Sequence, residues 1–201
     1  MLEVGSGTGA LSVYLALQGA RVTGIDVSEQ NVSVATRRAA ANGVGQRADF
    51  RVVPVEQLDD THATYDFVVG NQVLHHVELG QAMPNLRRLL RSGGRAVFCE
   101  PVLLLPEALR KLRETRGIKR MLPRRVDTPT ERSLSLADLA IIRHTFPDMR
   151  AHPFHLLSRA CNFVQLGDAW IDRLALFDRW LLRQVPSTRP ACRFLVIELV
   201  P

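Results

Sequence analysis

The sequence is poor in cysteine and has no long apolar run, and each shortage excludes a class of protein. Its three cysteines, Cys99, Cys161 and Cys192, lie far apart and form no CxxC pair. This spacing argues against a disulfide framework and a zinc site, so we expect reduced thiols. No run approaches the roughly 18 apolar residues of a membrane span, and the first residues lack the pattern of a secretion signal. We therefore expect a cytoplasmic protein; 46% hydrophobic and 23% charged residues in a chain of 201 are typical of one globular domain.

Lysine is nearly absent, and the positive charge is concentrated in one segment. Of the 26 basic residues only Lys111 and Lys119 are lysine, and residues 103–125 hold eight bases against two acids. The net charge of +6 therefore resides in this segment. Such a patch attracts phosphates, anionic lipid or acidic substrates, but it is also typical of a solvated surface helix. We prefer the helix, because charge alone specifies a partner weakly.

The first half of the chain alternates between short strands and amphipathic helices. Segments rich in Val, Ile or Phe predict strands at 1–4, 21–26, 50–53, 65–70 and 95–100. The segments between them predict helices at 10–18, from Ser28 to about 42, and at about 79–91, where Ser92-Gly93-Gly94 should end the helix. Alternation of this kind predicts right-handed crossovers and a mostly parallel, Rossmann-like α/β sheet with helices on both faces.

The second half breaks this alternation. We predict a basic helix at about 106–122, a capping box at Ser135–Asp138 that opens a helix to about 146, and a strand at 151–157. An amphipathic helix at 168–185 places Trp170, Phe177 and other apolar residues on one stripe, typical of core, interface or pocket wall rather than a membrane anchor. The sequence CRFLVIELV predicts a buried last strand, which a preceding helix would allow to run antiparallel.

A glycine-rich turn follows the first strand. Its glycines at 5, 7 and 9 give GxGxG, whereas a dinucleotide fingerprint requires GxGxxG, and position 10 is alanine. Glycines at 5 and 7 permit a ligand to approach the backbone closely. Asp26, at the end of the second strand, is placed to accept hydrogen bonds from a ribose diol.

Four stretches of the chain carry a family resemblance. They are LEVGSGTGALS, GIDVS, YDFVVGNQVLHHV and LRRLLRSGGRAVFCEP, between residues 2 and 101. In their order and spacing the chain resembles the class I S-adenosylmethionine-dependent methyltransferases, most closely the small-molecule (type 11/25-like) branch. The resemblance implies S-adenosylmethionine as cofactor, bound by Glu3, the turn residues Gly5, Ser6, Gly7 and Gly9, and by Asp26, Val27, Val55 and Asn71. It implies one domain over 1–201, with a cofactor-binding half at 1–101 and a substrate-side half at 102–201 that carries helical insertions at about 106–122 and 168–185.

Two departures from the family pattern affect these expectations. Pro54 stands where the family commonly has an aspartate for the adenine amino group, which leaves the Val55 backbone or Glu56 to serve the ring. Family members also usually carry a few dozen residues before the first strand. We expect either that an N-terminal lid is missing from this chain or that the insertions at 106–122 and 168–185 supply it.

Few side chains are candidates for the chemistry, because methyl transfer depends mainly on positioning. His75 and His76 follow the fourth strand, and either one suits a general base; the alternative is a capping or packing role. Glu100, at the tip of the fifth strand, is a candidate contact for the acceptor, or else a strand-end acid held by nearby backbone. His152 and His155 have no accompanying ligand cluster, so we expect no metal.

We therefore expect methylation of a small or lipid-like acceptor at oxygen or carbon. The alternatives are a non-catalytic subunit of the same fold and, less favoured by the GxGxG spacing, a nicotinamide oxidoreductase. NQVLHH stands where nucleobase-methylating members usually carry an Asn-Pro-Pro-aromatic type of signature, so we expect no nucleic-acid partner. The acceptor itself is not written in the sequence, since it is chosen by the shape of a pocket.

Overall fold

The computed structural model describes residues 1–62, 64–104, 132–158 and 167–201. The first half contains β1 (Leu2–Val4), α1 (Ala10–Leu17), β2 (Val22–Asp26), α2 (Glu29–Ala41), β3 (Ala48–Val52), β4 (Tyr65–Asn71), α3 (Leu79–Leu89) and β5 (Leu90–Pro101). Short 3₁₀ turns at Val55–Gln57 and Leu74–His76 follow β3 and β4. The second half contains α4 (Leu136–Thr145), β6 (Arg150–Phe154), α5 (Asp168–Gln184), a 3₁₀ turn at Pro186–Ala191, and β7 (Phe194–Leu199).

The seven strands form one sheet in the order β3-β2-β1-β4-β5-β7-β6. Strands β1 to β5 pair in parallel, whereas β7 lies between β5 and β6 and runs antiparallel to both. This confirms the predicted Rossmann-like architecture and its reversed last strand. The carboxyl ends of β1, β2 and β4 meet at one edge, where ligands bind in open α/β sheets.

Side-chain caps begin two of the helices at the predicted residues. The Ser28 hydroxyl accepts the Asn31 N–H at 3.2 Å and starts α2. At α4, the Ser135 hydroxyl accepts the Asp138 N–H while the Asp138 carboxylate accepts the Ser135 N–H, a complete capping box. Each cap satisfies a backbone donor that has no partner inside the helix.

The boundary between α3 and β5 differs from the prediction. The helix ends at Leu89 rather than near 91, and the strand begins at Leu90 rather than 95. Ser92-Gly93-Gly94 therefore lies inside a strand, where Gly93 has a φ of +76° and the pairing with β4 shifts register between Tyr65 and Phe67. The glycines accommodate a bulge instead of ending an element.

Two hydrophobic clusters lie on the sheet. The larger one packs sheet residues such as Val68, Phe98 and Ile197, which are fully buried, against residues of α3 and α4, including Leu86 and Ile142. The smaller cluster lies under α1 and α2 and is built from Val13, Ala16, Ala39, Val44 and Ala48. The larger cluster supports β1 and β4, the strands that carry the glycine turn and the turn after β4.

The long late helix does not bury its apolar stripe in the core, which was one of the three roles predicted for it. In α5 the buried residues are Asp178 and Leu182, whereas Trp170 and Phe177 of the predicted apolar stripe are 59% and 46% exposed. Within the ranges listed above, no helix is long and apolar enough to cross a membrane. The predicted basic helix at about 106–122 and Cys161 lie outside the described residues.

Candidate functional site

The glycine turn after β1 depends on left-handed backbone at three positions. Gly5, Gly7 and Gly9 have φ values of +68°, +50° and +75°. A Cβ at Gly5 would lie 2.6 Å from Cγ2 of Val73, and one at Gly9 would lie 2.7 Å from Cβ of Ala35. Glycine is therefore required at 5 and 9 by both conformation and space. The turn closes when the Gly9 N–H donates to the Ser6 carbonyl at 2.9 Å.

Asp26 ties this turn to the start of α2. Its Oδ2 accepts the Gly7 N–H at 2.8 Å, and its Oδ1 accepts the Ser28 N–H at 2.9 Å and the Asn31 side-chain amide at 3.3 Å. A carboxylate offers roughly four acceptor positions, so about one, on Oδ2, is left for a ligand hydroxyl. The predicted ribose-binding residue thus also organises the turn.

A cavity of about 450 Å³ opens at this edge of the sheet. It is lined by the turn, by the end of β2 and by the turns that follow β3 and β4. Four of the predicted cofactor residues line it: Gly5, Asp26, Val27 and Val55. Much of the remaining wall is apolar, with Val53 and Pro54 beside Val27, whose side chain is 73% exposed. An exposed apolar wall of this kind suits a flat, apolar ligand group.

Other predicted cofactor residues do not line the cavity. Glu3 is buried, accepts the Ser12 hydroxyl, and has its pKa raised chiefly by burial. Ser6 is also buried, and its hydroxyl has no hydrogen-bond partner among the described residues. Asn71 is exposed at the end of β4. Neither these three nor Gly7 and Gly9 are among the residues that line the cavity.

Glu100 and His75 form a buried pair under the turn after β4. Oε1 of the fully buried Glu100 accepts the N–H groups of Val73 and Leu74 at 2.8 and 2.9 Å. Its Oε2 lies 2.8 Å from Nδ1 of His75, which is 6% exposed. Glu100, predicted as a candidate acceptor contact, is therefore fully engaged in holding this turn. His76, by contrast, lines the cavity, and the centroid of its ring lies 4.0 Å from the centroid of the His75 ring.

Sequence reasoning missed several residues of the cavity. Gln72 has a φ of +54°, and its N–H donates to the Cys99 carbonyl at 2.8 Å, which turns the chain sharply after β4. Val73 then packs against Gly5. No local pattern marks either residue, because both positions are set by strand β5. Glu56, which the sequence analysis named as a possible contact for the adenine ring, also lines the cavity, and its Oε1 accepts the Glu78 N–H at 2.7 Å.

The remaining candidate groups lie elsewhere. His152 is on β6, 3.9 Å from a carboxylate oxygen of Glu198, and His155 packs edge-on against Phe154 and Phe194. In the described part of the chain, no three His, Cys, Asp or Glu side chains are grouped to hold a metal ion. Burial raises the pKa of Cys99, and that of Cys192 to about 11, which keeps both as thiols at neutral pH.

The sheet order, the reversed last strand and the cavity beside a glycine turn together define a Rossmann-like nucleotide-binding domain. Residues 2–98 match the family described as methyltransferase domain. This match, over just under half of the chain, supports a class I S-adenosylmethionine-dependent methyltransferase, as the resemblance implied.

Similar proteins support the same family. Ubiquinone biosynthesis O-methyltransferase of Rhizobium leguminosarum bv. trifolii is 34% identical over 125 residues, which are 62% of this chain and 49% of the relative. Geranyl diphosphate C-methyltransferase from Streptomyces coelicolor A3(2) shares the fold, with a TM-score of 0.67 at 16% identity over 99% of this chain and 71% of the other. The [4+2]-cyclase SpnF does so too, with a TM-score of 0.63 at 20% identity over 100% of this chain and 74% of the other. The chain spans about half the length of the curated relatives it matches.

Proposed function

We propose that the chain binds S-adenosylmethionine in the cavity beside the glycine turn and transfers its methyl group to a small-molecule acceptor. The observation that carries the proposal is the cavity itself, which is lined by the glycine-rich turn, a strand-end carboxylate and an apolar wall. Its residues fit the cofactor in kind. The open acceptor position of Asp26 would hold a ribose hydroxyl, and Val27, Pro54 and Val55 would enclose the adenine. The bound sulfonium supplies an electrophilic methyl group.

The residues of the chain contribute positioning and one candidate base. Glu100 fixes the turn that carries His76 into the cavity, while the Nδ1 atom of His75 is engaged by Glu100. Because His75 is only 6% exposed and does not line the cavity, we assign the base to His76 when the acceptor is a hydroxyl or an activated carbon that must lose a proton. Geometry supports this choice, since a base must be exposed to the site where the acceptor lies.

The acceptor class follows from the relatives and is part of the proposal. One relative is named for O-methylation in ubiquinone biosynthesis, and one solved neighbour is a C-methyltransferase bound to geranyl diphosphate. Both names support a small acceptor with apolar character, methylated at oxygen or carbon. The cytoplasmic location expected from the sequence stays a prediction.

Calorimetric titration with S-adenosylhomocysteine tests the cofactor site. Val27→Asp places a charge on the exposed apolar wall, and Val52→Asp makes the same change at a valine that is 51% exposed and does not line the cavity. We expect Val27→Asp to weaken binding at least tenfold, roughly 1.4 kcal/mol, because an apolar contact is lost and a carboxylate is desolvated. Val52→Asp should bind like the parent chain. The proposal would be contradicted if both variants weakened binding equally, or if the chain bound NADH and did not bind S-adenosylhomocysteine.

Methyl transfer itself is tested with hydroxylated aromatic acceptors, by following methylated product in a mass spectrometer. His76→Gln should lower the rate roughly 10²- to 10⁴-fold at a hydroxyl acceptor. Because His76 lines the cofactor cavity, cofactor affinity should also be measured, and it should change far less than the rate. Cofactor binding without transfer to any acceptor would favour the alternative of a non-catalytic subunit. Unchanged turnover in His76→Gln would remove the base assignment and leave the methyltransferase proposal standing.

A further inference from the structure

A second cavity, of about 610 Å³, lies between β6 and α5. Its helical wall is one face of α5, formed by Ala175, Asp178, Arg179, Leu182 and Arg183 at helical spacing. It shares no lining residue with the cofactor cavity, and β6 is separated from β4 by two strands. Its size is in the range of small-molecule sites, roughly 300–1,000 Å³.

Three arginines give this cavity its charge. Arg179 and Arg183 come from α5, and Arg189 comes from the following 3₁₀ turn, where its Nε donates to the Leu182 carbonyl at 3.0 Å. Within the described ranges, neither Arg179 nor Arg183 forms an ion pair with a carboxylate. Arginine matches carboxylate and phosphate through paired N–H donors, so two of them one helical turn apart suit an anion.

Among the described residues that line the cavity, Asp178 is the single acid, and it does not neutralise the arginines. Asp178 is 2% exposed, and its carboxylate accepts the N–H groups of Leu156, Leu157 and Ser158 at 3.0, 2.8 and 2.9 Å. The Ser158 hydroxyl donates to the same carboxylate at 2.6 Å. Burial acts to raise the pKa of Asp178, but these hydrogen bonds outweigh it and lower the pKa. The negative charge is therefore compensated by backbone donors, and the guanidinium groups stay available.

Apart from His152, His155 and Ser158, the rest of the wall is apolar. Phe154 on β6 and Val196 on β7 are only partly buried, and Leu182 lies beside them on α5. We propose that this α5–β6 cavity binds an organic anion whose carboxylate or phosphate group meets Arg179 and Arg183 and whose apolar body lies on Phe154 and Val196. The proposal does not rest on methyl transfer, since it concerns different residues.

Titration with 1-naphthyl phosphate and 2-naphthoate tests the site, with S-adenosylhomocysteine present throughout to occupy the other cavity. The double variant Arg179→Gln/Arg183→Gln should weaken binding of at least one probe tenfold or more, because charge-assisted hydrogen bonds are lost. The matched control is Arg173→Gln, on the same helix but stacked 5.3 Å from the Trp170 ring and outside the cavity. It should change the affinity less than twofold. The stronger of the two probes identifies the head group.

A second variant separates loss of the site from loss of the fold. Ala175→Phe fills the cavity from the helix without removing a charge, and it should also weaken the probe tenfold or more, with an unchanged circular dichroism spectrum. The uncharged analogue 2-naphthol tests the need for an anion, and the proposal is overturned if it binds as tightly as both anions. It is also overturned if Arg173→Gln weakens probe binding as much as the double variant, or if Ala175→Phe leaves probe binding unchanged.

Discussion

Replacing Glu100 probes how the floor of the cofactor cavity is held. Its buried carboxylate accepts two backbone N–H groups and contacts the His75 ring, all within 2.9 Å. Leucine at this position would leave those three groups buried without a partner. An unsatisfied buried donor costs about 1–3 kcal/mol, so the loss of three partners in Glu100→Leu should lower the free energy of unfolding by about 3–9 kcal/mol.

Glutamine provides the comparison that isolates the hydrogen bonds from the packing. In Glu100→Gln the side-chain oxygen can still accept from Val73 and Leu74, and the amide can donate to Nδ1 of His75 in its other tautomer. Only the contribution of the charge is then lost, about 1–2 kcal/mol. Glu198→Gln is the control, because that acid pairs with Arg95 near the surface and should contribute less than about 1 kcal/mol.

Urea unfolding measures the stabilities, and calorimetry measures the affinity for S-adenosylhomocysteine. Glu100→Leu should also weaken ligand binding, because Val73, which packs on Gly5, loses the hydrogen bond from its N–H to Glu100. A cost below about 1 kcal/mol for leucine, or equal costs for leucine and glutamine, would refute the reasoning that these bonds hold the turn.

Two further perturbations have defined outcomes. Asp178→Asn should destabilise the docking of α5 by about 2 kcal/mol in hydrogen exchange, whereas Asp172→Asn on the same helix should not. The pKa of Asp178 is lowered in the folded protein, so its charged carboxylate stabilises the fold above the unfolded-state pKa of about 3.9. This stabilisation is lost as the pH falls through the folded-state pKa. The stability of the asparagine variant should therefore lack this dependence on acid pH. Gly9→Ala should lower the free energy of unfolding by about 2–4 kcal/mol, because it adds backbone strain and a clash with Ala35. Gly7→Ala has open space around the new Cβ and should cost about 1 kcal/mol. Denaturation midpoints measure both costs, and equal costs would contradict the role of the clash.

The parts of the fold that were predicted correctly are those determined by neighbours in sequence. The alternation of strands and helices, the Ser28 cap and the Ser135–Asp138 capping box all depend on residues a few positions apart. The α3–β5 boundary was missed because glycines at 93 and 94 normally interrupt a strand, and only pairing with β4 accommodates them as a bulge.

The same distinction applies to the site. The glycine turn and Asp26 could be located because a strand, a turn and a strand end identify them. The sequence allowed for Glu100 as an acid held by backbone. It did not identify the partners Val73 and Leu74, which lie 27 and 26 positions away. Likewise, the apolar stripe of α5 gave no indication that the helix would dock through Asp178, a charged residue that three backbone donors compensate.

The position of β7 has a consequence for how the molecule is made. Among the strands of the described ranges, β6 pairs with β7 alone, so within this part of the chain it has no strand partner until residues 194–199 have left the ribosome. Strands β1 to β5, by contrast, pair through crossovers that are complete by residue 101. During synthesis the half that contains the glycine turn can therefore assemble first, and the half that contains the arginine cavity follows in one late step.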